Sequence, residues 1–338
     1  MRHSTALLGE STVRLSDLRF PASRVHIART RLAYIHIDNL LHFAKIDRDG
    51  RIDGYVAAYL PDEVALLFFQ RGEVISAAAL TAAGRQILPI GTALKRMHDE
   101  LERGELVFCE APFEQIAWMY ESCLDHATRR PVVTSEPPLL FRALEHEGYT
   151  GVLELIADGQ VSYFRLAEGR YASGHFSDKP DDLAVPAYVE GMFTPRPDGT
   201  PPRIVAHVFP TRATIPVQAA PSLIESYREL YHRFAASAEA RVPGEAIRRG
   251  NKIRDALVPT HAALAAISAP QEKEPEPLVA TPEELTAALG DWALQLLEQL
   301  EIIAPGIAPD VLVEATREQR FMLQKAGLYD RFPWPVHW

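Results

Sequence analysis

The sequence predicts an α+β fold: two repeated antiparallel-meander-plus-helix domains, followed by a C-terminal helical hairpin and an extended tail. Three observations carry this. Gly54 and Gly72 stand 18 residues apart, Gly151 and Gly169 stand 18 apart again, and the pairs are offset by 97. The apolar pattern follows that offset without a gap: Val56 and Ala58 map to Leu153 and Leu155, Val64, Leu66 and Leu67 to Val161, Tyr163 and Phe164, and Val74 to Tyr171. Beyond residue 280 the apolar period changes to that of helices. A repeat of this kind is sought first, because each copy is one structural unit.

Residues 1–30 read as an N-terminal arm, rich in Arg2, Arg14, Arg19, Arg24 and Arg29 against Glu10 and Asp17. Such an arm suits an anionic membrane surface. Repeat 1 takes 31–130 and repeat 2 takes 131–240. In each, three β-rich runs are separated by tight turns, with Gly54, Gly72, Gly151 and Gly169 as structural turn residues. In copy one the strands are 55–59, 64–69 and 74–78. Asp158-Gly159 marks the stronger hairpin in copy two, since Gly accepts φ > 0.

Helices are expected at 92–103 and 113–127, and in the second copy at 181–190 and 223–238, with short strands at 104–108 and 203–209. The lead-in segments are a strand then a helix over 31–45, and a helix over 139–146. The junction 131–138 reads as an extended linker. Residues 241–282 form a basic segment and a Pro/Glu linker, SAPQEKEPEPLVATP over 268–282, expected to be extended and to let the last domain reach away. Thr281-Pro282-Glu283-Glu284 is a helix start: Thr as N-cap, Pro at the first position, acids in the first turn. The resulting helix, 283–303, and a second, 309–325 capped by Gly327, make the hairpin with its aromatic tail, 283–338.

The pattern carried by Gly54, Val56, Phe69, Gly72, Val74 and Ala77, with Ala93-Leu94 and the run 104–108 behind it, resembles the PatA-like N-terminal domain. That bacterial family accompanies two-component and gliding-motility proteins. The resemblance covers 40–108 and 139–209. In copy two Gly174 replaces the small residue and a Pro-rich insertion displaces the trailing strand. It implies an adaptor or interaction role, and it carries over no active site.

Composition sets the bounds. With 47% hydrophobic and 24% charged residues the chain can bury a core, which excludes wholesale disorder. A net charge of −10 argues against nucleic acid as a partner. Cys109 and Cys123 form no CxxC pair and read as apolar fillers in a reducing compartment. No run is long enough for a membrane span and the N-terminus lacks the apolar core of a signal peptide, so a cytoplasmic location is expected, peripheral on the inner membrane if the arm binds it.

Sites are few. Asp47, Asp49 and Asp53 imitate the middle of a calcium loop, but Lys45 and Val56 stand where an acid and a bidentate Glu are needed, so a charged turn without metal is expected. His36 and Asp38 would share a strand face near His42, with no third ligand. Neither Ser4, Ser76 nor Ser173 has a nucleophile motif around it. Arg241, Arg248, Arg249, Lys252 and Arg254 form a basic cluster. No catalytic, cofactor or metal residue is assigned.

Partner contacts are assigned to Phe332, Trp334, Trp338, Trp292, Arg248 and Arg249, since aromatic residues on a Pro-stiffened segment are typical anchors. The expected function is a non-enzymatic scaffold, a peripheral subunit stabilising a large assembly of other protein subunits. A membrane complex such as a bacterial photosynthetic reaction centre with its light-harvesting ring fits that expectation. The alternative is a cytoplasmic two-component signalling adaptor, and a third class is a hydrolase or metal enzyme.

Overall fold

Both meanders form at the expected positions in the computed structural model, which describes residues 13–46, 51–124, 130–131, 137–211, 214–270 and 278–336. The chain divides into two compact units, Met1–Pro216 and Val217–Trp338.

The first unit runs β1 (Arg24–Arg31), α1 (Ile37–Ile46), β2 (Gly54–Tyr59), β3 (Glu63–Gln70), β4 (Glu73–Thr81), β5 (Gly84–Leu88), α2 (Ile90–Asp99), β6 (Glu105–Glu110) and α3 (Phe113–Glu121). It then repeats itself as β7 (Arg130–Pro131), α4 (Pro137–Glu147), β8 (Gly151–Ala157), β9 (Gln160–Ala167), β10 (Arg170–Phe176), α5 (Val185–Met192) and β11 (Ile204–Phe209). One sheet has the order β1-β6-β2-β3-β4-β5 and the other β10-β9-β8-β11-β7, both antiparallel. Read from opposite ends, these are one topology, except that β5 has no counterpart.

The likeness extends to single hydrogen bonds. Gly72 N–H donates to Ile52 O at 2.8 Å, and Gly169 N–H to Tyr149 O at 2.7 Å, both pairs at the offset of 97. Arg71 N–H donates to Asp53 Oδ1, and Glu168 N–H donates to Thr150 Oγ1 at 2.9 Å. The register slips at the same place: Phe69 faces Val74 and Phe68 faces Ser76, as Leu166 faces Tyr171 and Arg165 faces Ser173. One extra residue on β4, and its equivalent on β10, makes the bulge.

Each turn glycine has a double reason. Gly72 and Gly169 sit at φ +79° and +77°, and a Cβ there would strike the backbone of the preceding helix, at Ala44 and Lys45 or at Leu144 and Glu145. Gly54 and Gly151 open β2 and β8, where a Cβ would run into the carbonyl oxygens of Cys109 and Phe209.

The strands are apolar on both sides because both sides are covered. One face of the first sheet packs under α1 and α2 through Leu40, Ala44, Ile90, Ala93 and Met97. One face of the second packs under α4 and α5 through Leu140, Leu144, Tyr188, Val189 and Met192. The remaining faces share one interior, with α3 in it. That is why β2 and β8 are buried along their whole length instead of alternating.

The N-terminal arm is a correction. From Val13 onward it is part of this fold. Val13, Leu15, Leu18 and Phe20 lie in the shared interior, Arg19 pairs by backbone with Gly159 and Val161, and β1 pairs with β6. A segment holding its apolar side chains in that core is not available as a free arm. Arg29 is bonded to Glu105 at 2.6 Å and lies over the Tyr59 ring. Arg2 lies outside the described residues.

The second unit is all helical: α6 (Pro221–Arg241), α7 (Glu245–Leu257), α8 (Ala263–Ile267), α9 (Pro282–Glu301), α10 (Ile307–Thr316) and α11 (Arg320–Lys325). The expected 309–325 helix breaks at a 3-10 turn, Arg317–Gln319. The expected capping box forms, with Glu284 N–H on Thr281 Oγ1 and Thr281 N–H on Glu284.

Here the expected domain limits change. Tyr227, Leu230, Tyr231 and Phe234 of α6 face α9 and α10, not a sheet, so α6 belongs to the helical unit. The basic segment is α7 and α8 of the same bundle. The linker does not carry the hairpin away: Ala219 N–H donates to Ala280 O at 2.7 Å, while Arg228 and His232 hold Ala269 and Pro270 carbonyls. Both ends of the linker are therefore tied to α6 or its lead-in, and residues 271–277 lie outside the described residues.

The duplicated turns set a test. Gly72→Ala or Gly169→Ala should each cost roughly 1–3 kcal/mol, seen as a lower melting point of the sheet unit by calorimetry. A third variant, Gly244→Ala at φ +77° with open space around it, should cost less.

Candidate functional site

The outer face of the second repeat is incompletely filled. The rings of Phe164 on β9, buried on the helix side of the sheet, and Tyr171 on β10 form the floor. Pro138 and Phe141 from α4 form one wall, and Val185, Pro186 and Val189 from α5 the other, with the exposed Glu190 also lining it. The cavity measures about 370 Å³, within the size range of a ligand or side-chain pocket. Phe164 makes edge-to-face contacts with Phe141 at 5.7 Å, Tyr171 at 6.4 Å and Phe176 at 5.1 Å between centroids, which holds the floor rigid. Tyr171 remains 46% exposed. Burial raises the pKa of its hydroxyl.

In the first repeat the same face is closed. There β5 pairs with β4, and Leu88 of β5 enters the core with Ile90, Ala93 and Met97. In the second repeat no described strand pairs with the outer edge of β10, whose residues are exposed or half-buried throughout.

A second, polar cavity of about 260 Å³ is lined by Val13, Arg14, Asp17, Asp158, Arg196 and Arg203. Two of its charges, Asp158 and Arg196, are committed to one another. Asp158 accepts both Arg196 and the Arg203 N–H. Burial alone would raise the Asp158 pKa, but these donors outweigh it and hold it below the usual carboxylate range.

The interior between the sheets holds a buried ion pair. Arg85 of β5 reaches Glu154 of β8 in a two-pronged bond, Nη1 to Oε1 at 2.8 Å and Nη2 to Oε2 at 2.7 Å, and also donates to Ser122 Oγ at 2.9 Å. The two side chains are 3% and 0% exposed. Burial pulls the Arg85 pKa down, yet Glu154 outweighs it and holds it above its ordinary value. Burial, then the Glu154 charge, push the Tyr163 hydroxyl well up. Nearby, His175 lies on the Trp118 ring at 5.0 Å and 3.8 Å from Glu114. Burial lowers its pKa against the opposing pull of Glu114.

The residues singled out in the sequence fall elsewhere. Trp292 is 1% exposed, stacks on Tyr231 at 4.2 Å and donates to Gly250 O at 2.9 Å, so it is core and offers no surface to a partner. Phe332 is 8% exposed in that same core, and Trp334 and Val336 pack against it. The tail therefore docks on its own unit, which corrects the expectation that it anchors another chain; Trp338 lies outside the described residues. Arg248 and Arg249 share Glu245, Arg241 holds Glu314, and Arg254 holds Asp255, so the basic cluster is largely neutralised along its helices.

Asp53 caps the Arg71 turn, and Asp47 and Asp49 lie outside the described residues. His36 is exposed ahead of α1 and Asp38 and His42 are exposed on it, so the expected shared strand face does not exist. Among the described residues no three His, Cys, Asp or Glu side chains group as metal ligands. Ser76 is buried in β4 and Ser173 follows the bulge of β10, while Ser4 lies outside. Cys109 and Cys123 are buried free thiols, and burial raises the pKa of Cys109. Among the described residues no helix is long and apolar enough to cross a membrane. Comparison with protein-family models, with characterised proteins and with solved structures found no match. Fold and cavity define a duplicated α+β protein whose second copy is open where the first is closed.

Two outcomes follow. Glu154→Gln or Arg85→Met should each cost about 3–5 kcal/mol, because the surviving charge is left buried and unpaired; chemical denaturation should show the double change Arg85→Met, Glu154→Met recovering much of that loss. Phe332→Ala should lower the stability of the helical unit by about 3 kcal/mol, a loss visible by helical circular dichroism.

Proposed function

We propose that this chain is a non-enzymatic interaction scaffold, a peripheral subunit that binds another protein within a larger assembly. One observation carries the reading. The outer face of the second repeat leaves an aromatic-floored cavity open, while the equivalent face of the first repeat is filled by β5 and Leu88. Open apolar surface of this kind on a folded protein marks an interaction site. The paired charges support the same reading, because the buried Arg85 and Glu154 and the half-buried Asp158 are engaged in joining parts of the fold. The resemblance to the PatA-like domain, with its adaptor role, agrees with it. The contact surface shifts from the tail to the second repeat. A membrane-bound assembly, including a photosynthetic one, remains within this proposal.

Tagged protein purified from its own host should carry a stoichiometric partner. Tyr171→Lys, at an exposed ring, should release that partner while the melting curve stays unchanged. Retention of the same partner by Tyr171→Lys would overturn the reading of this face.

A further inference from the structure

The duplication shows what covers a β10-type edge. In the first repeat, Ala77, Ala78 and Ala79 of β4 pair with Leu88, Ile87 and Gln86 of β5, in antiparallel register just past the bulge. At the offset of 97 the same places on β10 are Gly174, His175 and Phe176. They follow the same bulge, and they pair on their other side with Phe164, Tyr163 and Ser162. The chain then turns away at Asp178, at φ +57°, and reaches α5 without forming a counterpart of β5. Among the described residues, backbone donors and acceptors along the outer side of β10 are thus left without a strand, beside a cavity floored by Phe164 and Tyr171.

Natural edges are blunted by charge, Pro or brevity. β1 carries Arg24, Arg29 and Arg31, and β5 is five residues long and followed at once by Pro89. β10 has seven residues and one full-time charge, Arg170, at its far end. The rim adds a sign: Glu190 borders the cavity, and no ion pair to it occurs among the described residues.

We propose that β10 accepts an extended antiparallel segment of another protein, which sets one apolar side chain in the cavity between α4 and α5 and a basic side chain against Glu190. Resting on the scaffold reading, this specifies the partner: a strand-forming peptide with a bulky apolar residue next to a Lys or Arg. Main-chain pairing supplies affinity and the pocket supplies choice, as in strand addition generally. The segment need not copy Arg85 of β5. That side chain is met by Glu154, whose counterpart at the offset of 97 is Ala57.

The probe is a synthetic peptide of residues 82–90 of this chain with Arg85→Ala, and a second version that also carries Pro89→Lys. Both are titrated into the isotope-labelled full chain and followed by amide NMR. Saturable shifts are expected at Tyr171, Gly174 and Phe176. The Lys version should bind about 2- to 5-fold tighter, and Glu190→Gln should abolish that gain. Peptides N-methylated at alternate residues supply the decisive contrast: one frame should lose binding and the other keep it. Equal binding by both frames means capture by side chain alone and overturns strand addition. So does the absence of saturable shifts on β10 at millimolar peptide, or pairing of β10 with a second copy of this chain in sedimentation. Loss of the host partner by Tyr171→Lys alongside a negative peptide result would leave the scaffold reading standing while this one falls.

Discussion

The arrangement of the first unit depends on one buried ion pair. Arg85 and Glu154 come from different sheets and meet in an interior of aromatic and aliphatic side chains. A charge there is tolerated only in good geometry with a partner. The two-pronged bond, with Ser122 as a further acceptor, meets that condition at the relative position the sheets adopt. Apolar packing drives the faces together without direction; the pair selects where they stop. α3 works alongside, setting Tyr120 against Phe68 of the first sheet and Trp118 against His175 of the second.

That pair also accounts for an asymmetry in the duplication. Arg85 is delivered by β5, the strand that the second copy lacks. A reciprocal pair would need a counterpart of β5 in copy two and an acid at the counterpart of Glu154, and that counterpart is Ala57. Strand and acid are thus missing together. The first copy uses its extra strand to hold the sheets. The second, relieved of that task, has no strand on its equivalent edge among the described residues.

The sheets were legible because tight turns leave marks that packing cannot override. A residue at φ near +78° pressed against a helix backbone has to be Gly, so Gly72 and Gly169 expose the repeat in the bare sequence. The capping box at Thr281 is similarly local. What stayed hidden depends on distant partners. The apolar stripe of α6 has the same spacing whether it meets a sheet or a bundle, so spacing alone does not distinguish the second repeat from the helical unit, where the helix packs. The Pro/Glu stretch reads as a spacer, but its neighbours Ala269, Pro270 and Ala280 are held by α6 and its lead-in through backbone carbonyls, which composition does not reveal. Trp292 and Phe332 look like anchors, and they are, but for their own bundle.

The candidate cavity was less legible still, since it arises from something that is absent. Phe164 and Val189 are core residues and Phe141 packs against them, so nothing in their identity marks the cavity that they and Tyr171 line. Only comparison of the two repeats shows that, among the described residues, no counterpart of β5 lies beside them. Duplication makes that loss affordable: one copy keeps the full sheet and secures the interior, so the other can surrender a strand without unfolding. An edge freed in this way retains the bulge, the register and the covering helices of its twin. It is therefore already shaped for a strand before any partner arrives, and little ordering cost remains for the protein to bear on binding.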